Sequence, residues 1–185
     1  MKIHTKLLHS LSFLLIIIFF SSFKHQTNSI NAKIKKGKFT INKVQVNANW
    51  NLADFKSALS GTCREKNGYN KTHTYDDKGI VVFESMTNKV PTGAVSEIQF
   101  YLQAATETND VVPKGIYTDE FKIEKLTLSK NISSKQMLKS LKKWKKSDSY
   151  MPNSYRMSKA GIYIYFQFST DENSLIKVSV GKDKS

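Results

Sequence analysis

Cysteine is almost missing from this chain: Cys63 is the only one among 185 residues. An intramolecular disulfide is therefore excluded, and stability has to come from packing. Histidine is scarce as well. Of the four, His4, His9 and His25 lie in or beside an apolar N-terminal stretch, which leaves His73 as the one imidazole of the remaining body. Acidic residues number 15 against 29 basic ones, too thin a supply for an obvious oxygen cage around a hard cation. No zinc-ligand spacing, phosphate-binding glycine loop or nucleophile elbow is present. These absences lead us to expect no catalytic residue, no metal and no cofactor.

What is present is positive charge on a globular composition. Hydrophobic residues make up 39% and aromatics 11%, enough for a folded core. The formal charge is +14 and the pI about 9.7, which raises the question of an acidic partner: nucleic acid, anionic lipid or an acidic protein. Abundant Lys, Asn, Ile and Ser offer a plainer explanation, with lysine as the default solubilising residue. Lys2 and Lys6 precede the apolar run Leu11–Phe23, the layout of a secretory signal and short for a span of about 20 residues. We expect residues 1–32 to be a signal peptide, or an uncleaved anchor, plus linker. The exported chain would begin between Phe23 and Lys33, with Ser22 and Ala32 as the candidate cleavage positions. No cysteine follows that could carry a lipid.

The chain resembles itself at an offset of 82 residues, with Phe39 falling on Phe121, Ile41 on Ile123, Asn49 on Asn131, Leu59 on Leu141 and Gly79 on Gly161. Alternating "FTINKVQV" and "FKIEKLTL" suggest short hairpins. N-caps follow at Asn51 and Ser133, each with Asp54 or Gln136 three residues on, the spacing of a capping box. The helices expected after them bury Leu52, Phe55 and Leu59, and Met137, Leu138, Leu141 and Trp144. Strands then follow at Thr72–Tyr75, Ile80–Glu84 and Val95–Leu102, and again at Tyr155–Met157, Ile162–Phe168 and Leu175–Val180. The reading is an α+β fold of two tandem repeats at 38–103 and 120–182, joined by a linker at 104–119. Each repeat is a short β-hairpin, one α-helix and a three-stranded antiparallel meander.

Asp76 and Asp77 invite a metal or acid/base reading, but the matching stretch Lys159-Ala160-Gly161 has no carboxylate. What the two stretches share is glycine ahead of an apolar strand, where a tight hairpin needs positive φ. The aspartates therefore read as turn residues.

A capped helix, Gly61 and Arg64 as G-x-x-R, and Tyr75–Ile80 as Y-D-D-x-G-I resemble an uncharacterised family of exported bacterial two-repeat proteins, over Lys38 to Lys182. Each unit is also loosely similar to the β-lactamase-inhibitor protein and to SmpA-type envelope lipoproteins. That likeness implies a concave sheet surface that binds protein. The missing lipidation cysteine departs from the lipoproteins.

Two groups are candidate binding residues. Lys135, Lys139, Lys142 and Lys146 fall on one stripe of the helix expected over "SKQMLKSLKKWKKSD", as either a contact for an acidic partner or a solvated face. Tyr163 and Tyr165 alternate with Ile162 and Ile164, as either packing residues or a tyrosine-lined binding face. Cys63 reads as an incidental thiol and His73 as a polar sheet-face residue. The function expected is an exported, periplasmic or extracellular, non-catalytic protein-binding module of inhibitor, immunity or scaffold type. The alternative is a basic protein that associates with anionic lipid or polysaccharide of the envelope. An enzyme ranks third, and nucleic acid is an unlikely partner.

Overall fold

Period-two alternation builds most of this molecule. In the computed structural model, which describes residues 29–105, 109–149 and 151–183, β1 (Ala32–Lys35), β2 (Lys38–Ile41) and β3 (Val44–Gln45) form a small meander. They are joined by β8 (Phe121–Ile123) and β9 (Leu126–Leu128) into a five-stranded sheet of order β3-β2-β1-β8-β9. β1 runs parallel to β8, with Ala32 opposite Phe121 and Ile34 opposite Ile123. Most of the expected targeting segment, through residue 28, lies outside the described residues.

A larger, eight-stranded antiparallel sheet covers the first. Its strands are β4 (Arg64–Lys66), β5 (Lys71–Tyr75), β6 (Ile80–Thr87) and β7 (Val90–Tyr101). They are followed by β10 (Lys145–Ser147), β11 (Ser154–Lys159), β12 (Ile162–Phe168) and β13 (Leu175–Lys182). The order is β10-β11-β12-β13-β7-β6-β5-β4. Along β12, Ile162, Ile164, Phe166 and Phe168 are buried while Tyr163, Tyr165 and Gln167 turn the other way. The inward faces of the two sheets meet at Phe39, Phe100 and Phe121. The Phe100 and Phe121 ring centres are 4.8 Å apart and those of Phe39 and Phe121 6.4 Å.

Two helices occur among the described residues. Helix α1 (Leu52–Leu59) starts at Asn51, whose side chain accepts a hydrogen bond from the Asp54 amide, and buries Phe55, Ala58 and Leu59. Helix α2 (Ser134–Ser140) starts with a complete capping box between Ser133 and Gln136.

The expected fold class needs correction. The protein is mostly β, 46% strand against 10% helical, and is not an α+β pair of repeats that each hold their own meander. Strands from both halves merge into the two shared sheets, and Phe39 and Phe121, matched by the 82-residue offset, stack on one another. The physical reason lies at the edges. A three-stranded unit would leave β7 and β13 unpaired on one side, and pairing them satisfies both rows of backbone groups at once. The second helix is also much shorter than expected. It stops at Leu141, and Lys145–Ser147 then joins the sheet as a lysine-rich edge strand beside β11, a composition that suits an edge.

The two hairpin glycines differ in a way that gives a test. Gly79 and Gly161 both have positive φ, +64° and +76°. A Cβ at Gly161 would meet nothing within 4 Å, whereas one at Gly79 would lie 2.2 Å from the Tyr117 amide nitrogen. Gly161→Ala should therefore cost about 1 kcal/mol from backbone strain alone. Gly79→Ala should cost roughly 3 kcal/mol or more, because segment 115–117 has to move as well. Equal losses in urea melts of the two variants would show that the close approach at Gly79 does not matter.

Candidate functional site

The outward face of the eight-stranded sheet is polar and laterally bonded. Tyr163 stands opposite Gly181 on β13, and Gly181 stands opposite Glu97 on β7. With no side chain at Gly181, the Tyr163 ring lies across the middle strand, and a Cβ there would sit 2.4 Å from the ring. The Tyr163 hydroxyl donates to Glu97 Oε2 at 2.6 Å. Gln99 Nε2 donates to Glu97 Oε1 at 2.6 Å, and the Tyr101 hydroxyl donates to Gln99 Oε1 at 3.0 Å. Arg156 covers the Tyr163 ring at 4.4 Å. Burial, then the negative charge of Glu97, pushes the Tyr163 hydroxyl well above its usual range, so it stays protonated as a donor.

The structure puts Tyr163 and Tyr165 on one face but beside different concavities. Tyr165, whose hydroxyl donates to Ser154 Oγ at 2.6 Å, lines a groove of about 710 Å³ together with Phe83, Gln99, Tyr101, Gln167 and Lys177. Gln103, Asp110 and Val112 bound its far side. Tyr163 lines a second hollow of about 560 Å³ with Trp50, Ser85 and Arg156. Asp110 is held by Lys66 at 2.6 Å. Arg64 donates to the Asp110 carbonyl and makes a two-pronged contact with Asp76 at 3.0 and 3.1 Å. Asp76 also accepts from the Lys114 amide, so beyond shaping its turn it ties the 110–115 segment to the sheet.

The four lysines do not form one helical stripe. Lys135 and Lys139 are exposed on α2, Lys142 is exposed in the turn after it, and Lys146 is on β10 with its ammonium 5.0 Å from the Tyr155 ring centre. Positive charge also gathers away from that segment. Lys33 stands opposite Lys122 on the outer face of the five-stranded sheet.

On the inward face of the larger sheet lies a cluster that sequence reasoning missed. His73 does not face the polar side: it is 1% exposed, and its Nε2 is 2.9 Å from Oε2 of Glu84, itself 4% exposed. Its Nδ1 is 3.0 Å from Glu65 Oε1 and 3.9 Å from the Cys63 sulfur. Glu84 Oε1 accepts from the Gly93 amide at 2.7 Å. The available signal was the hairpin through Asn67 and Gly68. It pairs Glu65 with His73 and, with period two, turns Cys63 to the same side as Glu65.

Hydrogen bonds from Lys71, then Lys56, hold the Glu65 carboxyl down at about 2, against an ordinary 4.5. The folded protein thus binds this proton less tightly than the unfolded chain. Its contribution to stability is present above about 4.5 and lost as pH falls through about 2. Asp76 is depressed in the same direction, first by its hydrogen bond with Arg64. Glu65→Gln should flatten part of the acid-side loss in melts across that window and leave the Asp76 part. A variant with the wild-type acid profile would show that the lysine contacts do not persist in solution.

No curated protein and no solved structure matches this chain. Residues 31–138 match a domain family of unknown function. That stretch carries β1 to β9 and the start of α2, including Cys63, Glu65, His73 and Glu84. It covers more than half of the protein, which therefore belongs to the family described as domain of unknown function DUF7738.

Proposed function

We propose that the protein is an exported, non-catalytic binding module that holds a protein partner against the outward face of its eight-stranded sheet. The observation that carries this reading is the 710 Å³ groove between that face and the segment around Asp110. Its rings are Phe83 and Tyr165, both partly exposed, and the more buried Tyr101. The polar tips of the two tyrosines are tied to Gln99 and Ser154. Aromatic rings already fixed in place lose little freedom on binding, and tyrosines with an apolar body and a bonded tip are typical anchors of protein contacts. The lysine-rich surface supports the second reading, association with anionic lipid or polysaccharide, because Lys135, Lys139 and Lys142 are solvent-facing.

Two variants separate the readings. The double variant Phe83→Ser with Tyr165→Ser should weaken a purified partner, first captured from envelope extract, by at least about tenfold, or about 1.4 kcal/mol. Its melting temperature should drop measurably while the fold persists, since the Tyr165 hydroxyl gives up its bonds with Ser154 and Ser149, each worth about 1 kcal/mol, and both rings are only half-buried. Changing Lys135, Lys139, Lys142 and Lys146 to Gln should at most slow association and reduce its salt dependence. If the groove variant binds normally and the lysine variant does not, the basic-surface reading replaces this one.

Export places a constraint on processing. Ala32 opens the central strand of the five-stranded sheet, and the Ile30 amide donates to Asp119 at 2.7 Å while its carbonyl accepts from the buried Tyr117 hydroxyl. A cut after Ala32 would remove all of these, so of the two candidate positions only Ser22 leaves the sheet whole. N-terminal sequencing of the exported chain should find a start between Phe23 and Ser29. A start at Lys33 on a stably folded product would show that the Ile30 contacts are dispensable and overturn this constraint.

A further inference from the structure

The geometry points to a binding site for a zinc-type divalent transition metal, with the Cys63 sulfur, His73 Nδ1 and Glu65 Oε1 as ligands and Glu84 as the buried carboxylate that orients the imidazole. The three ligand atoms lie within 4.8 Å of one another. Zinc bonds of about 2.0–2.3 Å in tetrahedral arrangement put ligand atoms roughly 3.3–3.6 Å apart. The observed separations, 3.0 Å from Nδ1 to Oε1 and 3.9 Å from Nδ1 to the sulfur, bracket that spacing. Side-chain adjustments of about an ångström would complete the site.

The imidazole carries the argument. Glu84 cannot turn away, because it is buried and its other oxygen is held by the Gly93 amide. Its Oε2 therefore draws the ring hydrogen to Nε2. In that tautomer Nδ1 is left with a lone pair aimed at a carboxylate oxygen and a sulfur, three electron-pair donors served by no more than the thiol hydrogen and the exposed Lys56 contact at 3.2 Å. A cation among them resolves that conflict, and a carboxylate on the far nitrogen is the usual partner of a metal-bound histidine.

Thiolate, imidazole and carboxylate together select a borderline-soft metal such as zinc over magnesium or calcium. Three protein ligands leave a fourth position, on the side where Glu65 is 39% exposed. Lys56 shares Oε1 with the proposed metal at 3.2 Å and would be displaced, while Lys71 sits on Oε2 at 2.6 Å and would stay. Lys56 is itself 45% exposed, so giving up this pair costs little. On binding, Cys63 releases its thiol proton to solvent.

The test uses the full chain, freed of metal by a chelator and titrated with cobalt(II). One equivalent should produce visible bands of tetrahedral cobalt and a near-ultraviolet thiolate-to-cobalt band, both removed by excess zinc. Because Cys63 is the only cysteine, that thiolate band reports this site and not the N-terminal histidines. Cys63→Ser, a change at a partly exposed loop residue, should abolish it while the protein stays folded. Glu84→Gln keeps all three ligands and should weaken zinc about 10- to 100-fold, a change that a merely structural carboxylate would not cause. Zinc should also raise the melting temperature of the wild type and not of Cys63→Ser. No thiolate band with the wild type would overturn the proposal. So would an unchanged zinc affinity in Glu84→Gln.

Discussion

Pairing of β7 with β13, from Glu97 opposite Gly181 to Tyr101 opposite Lys177, is the constraint on which the other contacts depend. It turns two sets of strands into one eight-stranded sheet and sets Phe100 and Val180 near its middle, facing inward. Phe100 then meets Phe121 and Tyr117 at 4.8 and 5.0 Å, and Phe39 at 6.4 Å. The second sheet is locked in the same way, because β1 lies between β2 and β8. Deleting one buried ring from such a core typically costs about 3–5 kcal/mol, a large part of the roughly 5–15 kcal/mol that holds an ordinary domain together. Neither half keeps its core without the other.

The same seam arranges the outward face. Tyr163 reaches Glu97 only because the intervening position is Gly181, and Glu97 then passes the network on through Gln99 to Tyr101. Shape at the binding face is therefore set by strand register, not by flexible loops. A one-residue slip would send Tyr163 and Tyr165 into the core and Ile164 and Phe166 out. The cost of that exchange keeps the rings where they are.

The sequence pattern showed most of the local structure. Alternation in "GIYIYFQF" placed the two tyrosines on one sheet face, the cap residues at Asn51 and Ser133 marked both helix starts, and the glycines marked the turns. Each of these signals is carried by neighbours a few residues apart. What was not legible depends on partners far along the chain. The merging of the halves follows from two long edges finding each other, which no local pattern encodes. The run of lysines after Leu141 has good helix propensity, yet Trp144 buries beside the core and the backbone of Lys145–Ser147 pairs with β11, so tertiary pairing overrides propensity. The polarity of imidazole alone sends His73 to the polar face. Its inward position is tolerated because Glu84, two residues beyond its β6 partner Val82, reaches it from the adjacent strand.

Strand β4 is where the two faces of the large sheet share one support. It has three residues and pairs only with β5. Glu65 points inward to His73, while Arg64 and Lys66 hold Asp110 on the wall of the groove. A three-residue edge strand has few backbone bonds of its own, so its position rests on these side-chain contacts. Arg64 also grips Asp76, and Asp76 holds the amides of Lys114 and Gly115 through its side chain and carbonyl. Order on the inward side, at Glu65 and His73, is therefore order on the outward side, at Asp110. The buried cluster and the groove wall are stabilised through a single short element, and neither can loosen without the other.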